Sequence, residues 1–393
     1  MNQSNDNSKL LVIEAAFIIL VMTFMIRASN NMLMTTVPLL TKYSFGFSET
    51  EVGIIEALMS AAGFLTTAFL NTRLNPGQRR FAFITSTFMY TLILVGFWLS
   101  NTFSVWLLGV ASGAVLGLIM PNIITSASLF SDIRTRERVL SLYTVALSVS
   151  LIAGPAIESY ILKLVPLKEA FLLFSLFGVA ATIISPMIRF PKEPITGEKT
   201  KVWSNSGFQA SVYNNLAYGI PFYVLITFGG IYEVEQFHIS LSLVSLLFSL
   251  FFLTSFLGRL YYSFRPPKSI KHHMTLAVSL TLIGIIFMIE ARSLPLFMVS
   301  LMVLGVPHGL TFPLSVLSLS RAFKPQQRNV ANSWFFSLNM LIGIILPLVS
   351  GFFIERVGFK NSFLGILAVV VVIMILMFDS FRRWKISDSR TVS

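Results

Sequence analysis

The chain alternates long apolar runs with short polar segments along its whole length. A run of about 20 apolar residues is long enough to cross a bilayer as a helix. The longest polar segment, from about 190 to 207, is too short for a separate soluble domain. The pattern predicts twelve membrane-spanning helices, near 10–40, 50–70, 81–100, 103–128, 139–163, 169–189, 208–232, 240–262, 274–291, 295–320, 329–354 and 361–380.

The second half of the chain repeats residues of the first half at one fixed offset. A repeat of this length in a membrane protein indicates a duplicated helical bundle, as in many transporters. We therefore predict an all-α membrane protein with two pseudo-symmetric six-helix bundles, at 1–190 and 208–393, joined by a cytoplasmic linker at 191–207. The pairs at an offset of 192 residues are Gly113/Gly305, Gly117/Gly309, Pro121/Pro313, Arg136/Arg328, Pro155/Pro347 and Phe171/Phe363.

Composition and charge agree with a multi-pass membrane protein. The charged fraction is 12% and the mean hydropathy is +0.78, against roughly 25% charged residues in soluble domains. The net charge of +12 follows topology rather than a nucleic-acid surface, because 22 of the 29 Lys and Arg residues fall in alternate loops or termini, and only six fall in the others. This positive-inside bias predicts a cell (plasma) membrane protein with both termini, including the tail after the last helix, in the cytoplasm.

Two local motifs carry a family resemblance. The loop at 71–80 reads NTRLNPGQRR, and the fifth predicted helix contains Gly154-Pro155 followed by Glu158. Together with the twelve predicted helices, these motifs make the sequence resemble the major facilitator superfamily of transporters. The resemblance covers essentially the whole chain. The family's loop motif has an acidic residue where Asn71 stands, and its Gly-Pro motif, typical of proton-driven antiporters, prefers a glycine where Glu158 stands. The resemblance implies gating roles for Arg73, Arg79, Arg80, Gly154 and Pro155.

Arg27 is the most unusual charge in the apolar runs. It lies about midway along the first predicted helix, where an ionised side chain costs roughly 2.5–3.5 kcal/mol on insertion scales. Asn31 follows one turn later on the same face. Because helices one, four, seven and ten line the central cavity in the resembled family, we expect both residues to face substrate. A structural Arg27 that caps main-chain carbonyls or is paired with a carboxylate is the alternative.

Other polar and aromatic residues on the predicted cavity helices extend this set of substrate-binding candidates. Amide and hydroxyl groups can hydrogen-bond a substrate, and aromatic rings can stack on a flat or cationic one. His308 has an equal alternative as a structural residue that forms a hydrogen bond between two helices. These candidates are Asn122, Tyr213, Asn214, Tyr218, His308, Trp334 and Asn339.

Glu56, Glu158 and His308 are candidates for proton coupling, because each side chain can bind and release a proton within a predicted span. Glu56 has a second interpretation as a fixed partner of Arg27. Glu158 is closer to a helix end, where it would reach water. Glu233 is near the end of the seventh predicted helix and is expected to be solvated.

Several kinds of chemistry find no support in the sequence. The chain has no cysteine and four histidines, and it contains neither an HExxH string nor a phosphate-binding GxxxxGK[ST] loop, so we expect no enzyme activity, no metal site and no cofactor. The leading prediction is a secondary transporter that works by alternating access. We expect it to be proton-coupled and monomeric in the bilayer, with a lean toward efflux of a drug-like compound or metabolite by antiport. Alternatives are an uptake symporter for an organic anion or metabolite, favoured by Arg27, and a non-transporting receptor of the same fold.

Overall fold

The computed structural model describes residues 2–127, 133–188, 201–264, 269–323 and 325–384, and within these ranges it is helical with no strand. Eleven helices in the described ranges are long and apolar enough to cross a membrane. In chain order they are α1 Asn2–Leu39, α2 Glu49–Leu65, α3 Pro76–Trp98, α4 Ser104–Ala127, α5 Ile133–Ile161, α6 Leu167–Ile184, α7 Ser206–Phe237, α8 Leu241–Phe264, α9 Ile270–Glu290, α10 Leu294–Ala322 and α11 Pro325–Arg383.

The last helix holds two of the predicted spans. The 59 residues of α11 would extend roughly 88 Å as one straight helix, nearly three times the hydrocarbon thickness of a bilayer. Gly358 interrupts it with φ 79° and ψ 167°, a conformation that side-chain-bearing residues rarely adopt. The two arms on either side of Gly358 correspond to the predicted eleventh and twelfth spans, so the prediction of an all-α, twelve-helix membrane fold is confirmed.

Side-chain caps fix several helix starts. Ser48 accepts a hydrogen bond from the Glu51 backbone N–H while the Glu51 carboxyl accepts one from the Ser48 N–H. Asn75 and Gln78 form the same reciprocal arrangement at the start of α3. Such capping boxes satisfy backbone donors that a helix start leaves free. These polar residues therefore mark where the chain turns back into an apolar span.

The chain divides into two compact units. Unit 1 comprises Met1–Pro194 with Ile239–Ser249, and unit 2 comprises Ile195–His238 with Leu250–Ser393. The first half of α8 thus belongs to unit 1 and its second half to unit 2. Residues 191–200 of the predicted linker lie outside the described residues, so the domain limits drawn from the sequence stay a prediction.

In unit 1, glycines on α4 allow close packing against α2. A Cβ atom at Gly117 would lie 2.5 Å from the carbonyl oxygen of Gly63, and one at Gly113 would overlap the carbonyl oxygen of Met59. Small residues at a spacing of four let two helix backbones approach in this way. The remaining contacts pack α1 against α5 and α6, and α3 against α4 and α6.

Unit 2 repeats this contact between its own helices. A Cβ atom at Gly305 would overlap the Phe251 carbonyl oxygen, and one at Gly309 would overlap that of Ser255, so α10 approaches α8 as α4 approaches α2. This explains why Gly113 and Gly117 recur 192 residues later. Within unit 2, α7 packs against α10 and α11, and α9 packs against α10 and α11.

We predict that Gly117→Ala lowers stability while Gly365→Ala does not. Gly117 has no room for a methyl group, so the substitution should lower the free energy of unfolding by about 1–3 kcal/mol. A Cβ at Gly365, also in a helix, would meet nothing within 4 Å, so alanine there should be neutral or should stabilise by up to about 1 kcal/mol. Thermal unfolding of the purified protein in detergent measures both. Equal midpoints for the two variants would contradict the close contact between α2 and α4.

Candidate functional site

Arg27 and Asn31 both lie inside unit 1. The half-buried Arg27 side chain donates a hydrogen bond from Nη2 to the hydroxyl oxygen of Tyr143 on α5, at 3.2 Å. Among the described residues, no acidic side chain lies within ion-pair distance of Arg27. Asn31 is 7% exposed, and its Nδ2 finds no acceptor in the described part of the chain. The two residues therefore supply hydrogen-bond donors and one positive charge that an anionic or polar ligand can use.

Gly154 brings α5 against α1 beside Arg27. A Cβ at Gly154 would lie 2.8 Å from the Ala28 carbonyl oxygen and 3.3 Å from its Cα. Pro155 follows within the same helix, where its missing N–H and its ring weaken the local helix geometry. A side chain at position 154 would separate α1 from α5 next to the arginine. The gating role predicted for this pair of residues stays a prediction.

Glu56 lies on α2 within a membrane span and is 7% exposed. Its Oε1 atom has no hydrogen-bond partner among the described residues. No ion pair joins Glu56 to Arg27 in the described structure. The structure thus places Glu56 as a buried carboxyl group without a fixed positive partner.

Glu158 does not reach water, contrary to the expectation drawn from its place near a helix end. Its side chain is 0% exposed, because α1 and the first half of α8 cover it. The Thr35 hydroxyl lies 3.3 Å from Oε2, the Thr36 hydroxyl donates to Oε1, and the Ser245 hydroxyl of α8 lies close enough to act on the carboxyl group. Glu158 therefore sits among neutral hydroxyl groups from two other helices.

Glu233 is also buried, and the expectation that it is solvated is wrong. It is 0% exposed, and neither carboxyl oxygen has a hydrogen-bond partner among the described residues. The reason is that α7 continues to Phe237, beyond the predicted end at 232, and stops where His238 adopts a positive φ of 52°. Glu233 is thus a functional candidate that reasoning from the sequence missed. Val234 and Phe237, the apolar residues beyond the predicted end at 232, were the available signal.

His308 links two helices within unit 2. Its Nδ1 atom lies 2.7 Å from the Ser255 hydroxyl oxygen of α8. The hydrogen bond and the ring contacts hold the imidazole in a mostly aromatic environment, where it can contact a flat or cationic group. The distances between ring centroids are 4.7 Å to Phe222, 5.3 Å to Phe251, 5.4 Å to Phe252 and 5.7 Å to Tyr218.

Arg259 is a second functional candidate that the sequence did not reveal. It lies inside α8, within the span Leu241–Tyr262, and is half-buried, although the count of 22 basic residues places it with the cytoplasmic loops and termini. It is close enough to Tyr218 and His308 to interact with both electrostatically, and a Cβ at Gly309 would be 3.3 Å from its Cγ. The absence of a side chain at Gly309 thus makes room for the arginine stem.

The predicted amide candidates of unit 2 hold helices together. Asn214 is 0% exposed and donates to the Thr311 carbonyl oxygen and the Ser315 hydroxyl, at 3.1 and 2.9 Å. Asn339 accepts a hydrogen bond from Asn215 at 2.5 Å, which joins α7 to α11. Tyr213 is half-buried on α7.

Asn122 and Trp334 make other contacts. Asn122 is 0% exposed, and its Nδ2 atom is 2.8 Å from the side-chain oxygen of Asn71, in the segment between α2 and α3. Trp334 is 47% exposed, and its ring packs edge-on against Trp203, which precedes α7. The structure therefore gives Asn122 a contact between helices and gives Trp334 a position at the surface.

Arg79 and Arg80, which lie at the start of α3 rather than in a loop, bond main-chain carbonyls of unit 1. Arg80 donates to the carbonyl oxygen of Pro186, beyond the end of α6, at 2.8 Å, and Arg79 donates to that of Leu74 at 3.4 Å. Arg73 is exposed. Cationic side chains near carbonyls at a helix end are a favourable arrangement, and the gating role predicted for these arginines stays a prediction.

Comparison with solved structures identifies the same fold. The chain is similar to a bacterial homologue of the human lysosomal transporter Spinster in an inward-facing, occupied conformation, with 14% identity, a TM-score of 0.73 and coverage of 96% of this chain and 97% of that one. It is similar to the peptide transporter POT in complex with sulfate, with 11% identity, a TM-score of 0.77 and 94% coverage of both chains. It is also similar to the nucleoside transporter NupG, with 14% identity, a TM-score of 0.72 and coverage of 94% of this chain and 100% of that one.

The sequence itself matches a family profile over most of its length. No curated protein sequence matches the chain significantly. The profile of the Major Facilitator Superfamily matches residues 19–260 and 213–387, which together include nearly every membrane helix described above. The chain therefore belongs to the major facilitator superfamily, as a multi-pass membrane transporter of small molecules.

Proposed function

We propose that the protein is a secondary active transporter driven by protons and that Glu56 carries the coupled proton. The observation that supports this most directly is a buried carboxyl group in a membrane helix, with one oxygen unpartnered and no cation beside it among the described residues. Removing an ionised carboxylate from water without a counter-charge costs several kcal/mol. The neutral acid is therefore the form that suits this position.

Alternating access supplies the step at which the proton leaves. A conformation that exposes α2 to water removes the burial cost, so the carboxyl group can ionise there and become neutral again when it is buried. The carboxyl group then binds a proton more tightly in the conformation that buries it than in the one that exposes it. Proton binding therefore shifts the protein toward the buried conformation, by an amount set by this difference in affinity. Glu56 would thus link the proton gradient to the movement of substrate.

We propose export by antiport as the direction of transport. Support comes from Gly154, which lies against α1 as part of an element that resembles the antiporter motif, and from the rings around His308, which offer faces to a drug-like compound. The distribution of basic residues, 22 against six, supports a plasma-membrane location with both termini in the cytoplasm.

Replacing Glu56 with glutamine should abolish proton-driven transport but not exchange. The test uses proteoliposomes and the compound that causes the largest proton movement in a panel of drugs, sugars, amino acids and organic anions. In Glu56→Gln, accumulation driven by a pH gradient should fall to the level of protein-free vesicles, because glutamine cannot release a proton. Exchange of labelled for unlabelled compound should persist, which shows that the variant is folded.

Glu290→Gln, an exposed control at the end of α9, should keep both activities. Wild-type accumulation by Glu56→Gln would show that Glu56 does not carry the coupled proton.

Uptake of an organic anion is the second candidate function, and Arg27 favours it. The guanidinium is half-buried, and its one hydrogen bond in the described structure goes to Tyr143. A buried cation without a carboxylate beside it is a ready partner for an anionic substrate. In this alternative the proton and the anion would move in the same direction. The sign of the proton movement caused by substrate therefore distinguishes uptake by symport from export by antiport.

If the substrate is an anion, Arg27→Gln should weaken its binding. Losing a hydrogen bond to a charged group costs about 1.5–3 kcal/mol, which corresponds to a roughly 10- to 150-fold rise in the half-saturating concentration. Arg27→Lys should fall between wild type and Arg27→Gln, because it keeps the charge but loses the planar fork of donors. Arg356→Gln, an exposed control on α11, should match wild type. An unchanged half-saturating concentration in Arg27→Gln would exclude Arg27 as the anion site.

A further inference from the structure

Glu158 belongs to a set of five side-chain oxygens from three helices of unit 1. Thr35 and Thr36 of α1 contact its two carboxyl oxygens, and the Ser245 hydroxyl of α8 lies close enough to act on the carboxyl group. All four residues are buried, with at most 3% of any of them exposed. No charged side chain among the described residues acts on this carboxyl group. We call these four residues the oxygen cluster.

The oxygen cluster has more acceptors than protons. Each hydroxyl group carries a single proton. The Thr35 hydroxyl lies 3.1 Å from the main-chain oxygens of Asn31 and Met32, and the Ser245 hydroxyl lies 3.3 Å from that of Leu241. Thr35 and Ser245 can therefore donate to the main chain instead of to Glu158, and each hydroxyl oxygen is then free to act as an acceptor beside the carboxyl group. The cluster then lacks a positive charge at its centre.

Neighbouring hydroxyl contacts hold the cluster in place. Ser242 and Ser249 lie on the same face of α8 as Ser245, at helical spacings of three and four residues. Ser242 donates to the Ser159 carbonyl oxygen at 2.7 Å, and Ser249 donates to that of Ile152 at 2.9 Å, both on α5. The first half of α8 is thus fixed against α5 on both sides of Ser245. This fixed arrangement favours a defined ligand geometry over a chance contact.

Comparison with the other buried carboxyl groups points to a cation. Glu56 Oε1 and both oxygens of Glu233 have no hydrogen-bond partner in the described residues, which suits a neutral acid. Glu158 instead has several hydroxyl oxygens around it, and carboxylate and hydroxyl oxygens are hard ligands that suit hard cations. One carboxylate balances a single positive charge. A divalent ion would leave an excess charge in an apolar bundle.

We propose that Glu158, Thr35, Thr36 and Ser245 bind a monovalent cation of the size and hardness of sodium. The ion would neutralise Glu158 and join α1, α5 and the first half of α8. This site is separate from Glu56, and its existence does not depend on the direction of transport.

Sodium binding is tested on the purified full-length protein in detergent at constant ionic strength and pH. Because a ligand that binds only the folded state stabilises it, sodium chloride should raise the thermal midpoint above that in choline chloride, in a saturable way. Direct binding of radioactive sodium should saturate over the same concentration range. Equal midpoints in sodium and choline, together with no bound radioactive sodium, would overturn the proposal.

Variants assign the binding to these residues. Glu158→Gln removes the charge and Thr36→Val removes one hydroxyl at nearly constant volume, so both should lose the sodium-dependent rise and the bound radioactive sodium. Their midpoints in choline show whether they are folded. Thr23→Val is the matched control, because Thr23 is buried on α1 but donates to the Ile19 carbonyl oxygen of its own helix, and it should keep the full sodium response.

Two results would contradict the assignment. A wild-type sodium response in Glu158→Gln would place the ion elsewhere. A midpoint that depends on pH equally in sodium and choline, without a sodium response, would assign the oxygen cluster to a proton. The proton-transport assay on Glu56 and the sodium-binding assay on Glu158 use different residues and different readouts, so either proposal can fail while the other stands.

Discussion

A polar side chain inside a membrane bundle must find its partner within the protein, because lipid offers neither donors nor acceptors. In the described residues, many buried hydroxyls meet that requirement at a carbonyl of their own helix, as Thr23 does, and several amide side chains meet it through another segment. Asn122 binds Asn71, and Asn214 binds Ser315. The groups that do not meet it are therefore informative. Glu56 and Glu233 keep unpartnered carboxyl oxygens in the described structure, and the proposed proton coupling depends on this kind of group.

The repeat preserves the packing of the helices but not the chemistry of the site. Gly113 and Gly117 on α4, and their counterparts on α10, bring corresponding helix pairs into contact in the two units. The charged residues singled out as functional candidates have no such counterparts. At the same offset of 192 residues, Arg27 corresponds to Gly219, Glu56 to Phe248 and Glu158 to Ser350. The duplicated framework thus carries a different set of functional groups in each unit, as expected when function resides in a few side chains on a common fold.

The number and approximate limits of the helices could be predicted because hydropathy over about 20 residues reports membrane spans directly. The burial of charged side chains near helix ends was harder to predict. Glu233 was expected in water because the predicted span stopped one turn before the real end of α7. Arg259 lay inside the predicted span 240–262 but close to its cytoplasmic end, so it was counted with the basic residues on that side, whereas the structure half-buries it within α8. An error of one turn decides whether a charged side chain is solvated or buried.

Contacts between distant helices were the other unpredictable part. The Thr36 hydroxyl bonds Glu158 across 122 residues, and Asn215 bonds Asn339 across 124. Nothing in the local sequence of α5 indicates that threonines of α1 surround its glutamate. The single sequence therefore suggested residue types for the site, while the packing of the bundle determined which of them meet.

Proton movement caused by substrate is the most direct test of the central claim. Proteoliposomes that contain the wild-type protein and a pH-sensitive dye are exposed to compounds from the mixed panel, with no gradient imposed. We predict a change of internal pH that depends on both the compound and the protein. Its sign should show that protons move in the direction opposite to the compound, as antiport requires. Transport of a labelled compound without any proton movement, over a range of pH and with the membrane potential clamped, would contradict proton coupling.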